Sequence, residues 1–152
     1  VRGDALGAAG RWCEAATAHE QAHHEMPTRV EPLLAWAETS WRCEPKREAD
    51  RDELLAALER GIASRRFGAA DRVSLAYSRW WLTREPVDAQ RVVDQYATIE
   101  LGKPALLEGV GSDVEREICK GIEERECSLT ILRSPKHAGD EERLRAALGL
   151  RR

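Results

Sequence analysis

The stretch "RGDALGAAGRWCEAATAHEQAHHEMP", Arg2 to Pro27, decides how the whole chain is read. Apolar and small residues recur through it at helical spacing, Gly10 interrupts the pattern, and "EMPT" ends it. It predicts one helix over about 2–9 and a second over about 11–25, joined by a tight connection. Because no capping residue precedes Val1, the chain is expected to be cut from a longer protein.

Outward from this stretch, the same alternation continues. Leu33, Trp36, Ala37, Ser40 and Trp41 fall on one helical face, as do Val73, Ala76, Tyr77 and Trp80, and then Val114, Ile118 and Ile122. Thr28 with Glu31, Asp50 with Glu53, and Ser112 with Glu115 match the capping-box pattern, and Pro86 suits a first helical position. Further helices are expected over about 29–44, 51–65, 70–84, 86–101, 113–127 and 140–148. "CSLTIL", Cys127 to Leu132, reads as either a continued helix or a strand, and Gly102 to Ser112 as the one linker. The expected architecture is a single all-α domain over residues 1–152.

Bulk composition agrees. The chain has 152 residues, 34% charged and 5% aromatic, which suits helices with solvated outer faces better than a β protein. A net charge of −3 gives no positive field for phosphate backbones or anionic lipid, so no nucleic acid and no membrane partner is expected. No apolar run approaches the roughly 20 residues that span a bilayer. Cys13, Cys43, Cys119 and Cys127 form no Cys-x-x-Cys pair, and read as free thiols packed as small hydrophobes in a cytoplasmic protein. Placed on one helix, Cys119 and Cys127 would be too far apart to bridge.

Helix pairs with short turns call for a search for repeats. "EAATAHEQA", "ELLAALERG" and "DAQRVVDQY" align, with Ala15, Leu54 and Ala89 recurring 39 and 35 residues apart. In the register this sets, Gly3, Gly10, Ala15, Ala22 and Pro27 make the first segment resemble the tetratricopeptide repeat, with His19 at that family's large aromatic position. The second copy keeps Leu54, Leu58 and Gly61 but carries Arg42 where the family has glycine; the third has Ala89, Val93 and Tyr96. The resemblance covers residues 2–101. It implies an α-solenoid of antiparallel helix pairs, closed by C-terminal helices over 102–152. It also implies a concave groove, lined by the helices that carry Trp36 to Arg42 and Ser74 to Trp81. Glu38, Arg42, Ser78, Arg79 and Trp81 are the groove residues expected to read a partner.

The same stretch also spells His19-Glu20-x-x-His23, in which two imidazoles one turn apart could face a zinc ion with the glutamate on its bound water. A third ligand is not marked, polar residues flank the motif, and His24 points about 100° away. The repeat register instead makes His19 a packing residue. The function expected is therefore a non-catalytic protein- or peptide-binding module with no cofactor. Its arginine- and alanine-rich wording, as in "AALERGIASRR", resembles the sensor or scaffold arms of bacterial regulators. A zinc hydrolase using His19, Glu20 and His23 is one alternative, and a bundle holding a small hydrophobic ligand is another. Arg60, Arg65, Arg66 and Arg72 read as a solvated face that could clamp an acidic peptide.

Overall fold

The computed structural model describes residues 2–8, 10–44, 48–105 and 127–150, and these residues are mostly helical with no named strand. In chain order the helices are α1 (Arg2–Ala8), α2 (Trp12–Glu25), α3 (Val30–Arg42), α4 (Glu48–Ala63), α5 (Ala69–Thr83), α6 (Pro86–Ala97), α7 (Ser128–Arg133) and α8 (Asp140–Ala147). The all-α expectation holds. The expected helix over 113–127 and its Ser112 cap lie outside the described residues, as does most of the Gly102 to Ser112 linker.

The first turn is made by Gly10. Its φ of 76° lies in the left-handed region, and the N–H groups of Gly10 and Arg11 donate back to the carbonyls of Gly7 and Leu6, each at 2.9 Å. This pairing satisfies the last carbonyls of α1 and reverses the chain at once. α2 then packs on α1, and at Gly3 the approach is tight: a β-carbon there would lie 2.6 Å from the His19 ring.

Each helix packs against the next in sequence from α1 to α6, and α3 also touches α5. α5 is enclosed on several sides. It meets α3, α4 and α6, so Leu75, Ser78 and Trp81 are buried along with the predicted stripe of Val73, Ala76, Tyr77 and Trp80. Burial on several sides is what lets two adjacent tryptophans, about 100° apart on the helix, both leave water. Trp81 meets Trp41 of α3 with ring centroids 5.3 Å apart, and Arg84, which ends α5 in a left-handed turn, stacks 3.6 Å from the Trp81 ring.

Polar groups bolt the helices together. Asp88, at the start of α6 and 3% exposed, accepts from Arg79 Nε at 2.8 Å and from the Thr83 hydroxyl at 2.5 Å. Arg79 also donates to the Leu55 carbonyl at 2.6 Å, so one guanidinium joins α4, α5 and α6. The Tyr77 and Ser128 hydroxyls meet at 2.7 Å between α5 and α7. Lys136 is buried, and its Nζ donates to the carbonyls of Tyr96, Ala97 and Ile99 at 3.2, 3.3 and 2.8 Å. A cation there satisfies the open carbonyls and complements the negative end of α6. Backbone bonds from Gly102 to Lys136 and from Lys136 to Lys103 complete this junction.

Several local expectations are corrected. α3 and α4 begin without the capping boxes: Arg29, not Thr28, precedes α3 and no side chain caps it. α4 starts at Glu48, which leaves Asp50 inside the helix rather than ahead of it. Pro86 does open α6, and "CSLTIL" is helical from Ser128.

The cysteines are not free thiols either. Cys13, near the start of α2, is bonded to Cys43, just past the end of α3. Antiparallel packing of the two helices brings together ends that lie 30 residues apart in sequence. Cys127 is also disulfide-bonded, to a partner outside the described residues. It stands in extended backbone before α7, so a distance reckoned along one continuous helix does not apply to it.

Candidate functional site

His19 and His23 lie on the inner side of α2, 5% and 8% exposed. The His19 ring fills the space left by Gly3, with Nε2 3.6 Å from the Asp4 carboxylate. His23 packs beside Trp36, ring centroids 5.8 Å apart, and its buried Nδ1 has no hydrogen-bond partner. Burial lowers the pKa of both imidazoles. Asp4 partly offsets this at His19, and the positive neighbours His24 and Arg60 add to it at His23. Glu20 does not join them. It turns to α4, where its carboxyl is held above the usual range by burial and then by Glu53 and Asp50.

The groove residues named from the sequence are engaged with the protein itself. Arg42 reaches Glu38 at 3.7 Å and stacks 4.6 Å over the Trp12 ring. Arg79 is held by Asp88 and the Leu55 carbonyl, while Ser78 and Trp81 are buried. The Ser78 hydroxyl and the Trp81 indole N–H are enclosed without a hydrogen-bond partner. Arg42, Arg79 and Trp81 join neighbouring helices, while Glu38 pairs with Arg42 along α3 and Ser78 is buried in α5.

An open feature lies elsewhere, bounded mainly by residues of α2 and α4. A cavity of about 280 Å³ is lined by His23, His24 and Pro27 from the end of α2 and Leu33 from α3. Ala57, Arg60 and Gly61 line it from α4, and Ser64, Arg66 and Phe67 from the turn that follows. No carboxylate stands in this lining. Neither Arg60 nor Arg66 has a side-chain ion pair or hydrogen bond among the described residues. The buried part of the lining is mainly apolar and two exposed arginines stand in it, which suits a ligand with an apolar body and a negative group.

Arg60 and Arg66 stand out in the sequence as part of an arginine run, but nothing local gathers them with His24, because the cavity is lined jointly by residues near the end of α2 and along α4. The one legible signal was the spacing of Glu20 and His24, four apart and hence on one face.

Comparison with protein-family models, with curated proteins and with solved structures finds no match.

Proposed function

We propose that this chain is a non-catalytic binding module, a tetratricopeptide-like stack of helix pairs that takes an acidic segment of a partner protein into the cavity between α2 and α4. The observation that carries this reading is the pair of arginines at a cavity whose lining holds no carboxylate. An unneutralised guanidinium at the edge of an apolar pocket is a ready docking point for carboxylate, which it grips with two parallel hydrogen bonds. Leu33, Pro27 and Phe67 supply the apolar floor for a side chain flanking the acidic residue. The helix order supports the stack: successive helices pack in sequence, with Gly3 beneath His19 and a left-handed Gly10 turn within the first pair.

The test is binding of labelled acidic peptides, each with one large apolar residue, read by fluorescence polarisation. Arg60→Glu with Arg66→Glu should weaken binding tenfold or more while leaving helicity unchanged. Binding should also fall with added salt. Unchanged affinity in the double variant, or equal affinity for a basic peptide of the same length, would overturn the reading.

A further inference from the structure

The sequence motif on α2 directs attention to His19 and His23, yet the folded chain gathers a different set of metal-ligating atoms. Glu20 and His24 stand one turn apart on the outer face of α2, and Glu53 of α4 comes up beside them. One ligand atom from each lies within 4.8 Å of the others. His24 Nε2 is 3.7 Å from Glu20 Oε1 and 3.2 Å from Glu53 Oε1. Two ligands bound tetrahedrally to zinc at the usual metal–nitrogen and metal–oxygen lengths stand about 3.4 Å apart. The observed separations bracket that value.

Charge supplies a second, independent argument. Neither Glu20 nor Glu53 has a lysine or arginine partner among the described residues, and Asp50, one turn before Glu53, adds to the negative field at Glu20. Two carboxylates brought together across a helix interface repel unless a proton shared between them, a protonated His24 or a bound cation joins them. A nitrogen and two oxygens form a donor set suited to a divalent transition ion, with zinc the best fit.

We propose that Glu20, His24 and Glu53 form a divalent cation site that clamps α2 to α4. Three protein ligands leave one tetrahedral position open, and because His24 also lines the neighbouring cavity, the ion would stand at its rim. The site is distinct from the His19 and His23 pair, whose rings are committed to packing, and it does not depend on what the cavity binds.

The test uses the chain without a histidine tag, titrated with Co²⁺ and Zn²⁺. One equivalent of Co²⁺ should bind with the visible absorption of a low-coordinate site, and Zn²⁺ should displace it and raise the thermal midpoint. His24→Ala and Glu53→Gln should each weaken binding tenfold or more. Both side chains are about half exposed, at 50% and 49%, so helicity should be retained. His137→Ala, at an exposed histidine remote in sequence, should change nothing. Absence of stoichiometric binding, or binding that survives both cluster variants, would overturn the proposal.

Discussion

Gly3 lies directly beneath the imidazole of His19. A β-carbon built at position 3 would fall 2.6, 2.7 and 2.8 Å from three ring atoms, inside any permissible contact. The space for one residue is therefore defined by the absence of a side chain in the other. Gly3→Ala should push the ring out of its slot and destabilise the chain by about 1–3 kcal/mol, as overpacking does elsewhere. Urea titration checks this. A more stable Gly3→Ala protein would mean that α1 shifts freely on α2.

The histidines set a pH dependence. Burial depresses the pKa of His19 and His23 in the folded chain below the ordinary 6.5, so the unfolded chain binds more protons once pH falls beneath that value. Stability contributed by the neutral rings should be present above pH 6.5 and lost as pH drops toward the depressed values. Glu20 acts in the opposite sense, since its raised pKa favours the folded chain as pH falls. The thermal midpoint should decline from pH 7 to pH 5.5, and Glu20→Gln should steepen that decline. A midpoint flat across this range would show that the rings do not titrate as described.

The Cys13–Cys43 bond closes a span of 30 residues across α2 and α3. Chain entropy alone assigns such a link about 3.5 kcal/mol of stabilisation. Reduction, or Cys13→Ala with Cys43→Ala, should lower the thermal midpoint by several degrees, and thiol titration of the unreduced, denatured protein should detect neither residue. Bonds of this kind persist mainly in oxidising compartments, so detection of both thiols in protein isolated without reductant would favour the cytoplasmic expectation.

Asp88 should be costly to alter. It is almost fully buried and accepts from both Arg79 and Thr83. Asp88→Asn removes the charge but not the shape, leaving Arg79 half-enclosed without its counter-ion. A loss of about 2–4 kcal/mol is expected, less than for a fully buried pair because Arg79 keeps some solvent. Arg79→Ala should show the same signature by losing stability, a change that equilibrium unfolding separates from a change in partner affinity.

What could be read in advance follows from the range of the forces involved. Helical periodicity and Pro86 are local, so α2, α3, α5 and α6 were placed within a few residues. Capping was misread because Thr28 and Asp50 satisfy a pattern without being where the helix begins; Glu48 and Ala49, both good helix formers, extend α4 back past Asp50. The disulfide was missed because spacing along the chain says nothing about helix ends brought together by antiparallel packing. The same limit applies to the candidate sites. Glu20 and His24 share a face by arithmetic, but Glu53 joins them only through the path of α4, and the bonds of Arg79 to Asp88 and to the Leu55 carbonyl likewise depend on helices that meet only in the fold.

The ammonium of Lys136 has a consequence for how the molecule comes apart. Fraying ordinarily starts at a helix end, yet the final carbonyls of α6 are gripped by a residue some forty positions downstream. Peeling of α6 from that end must await detachment of the segment before α8. The two ends of that span therefore open as one cooperative unit, and slow amide exchange near Tyr96 would report on the anchoring of the tail.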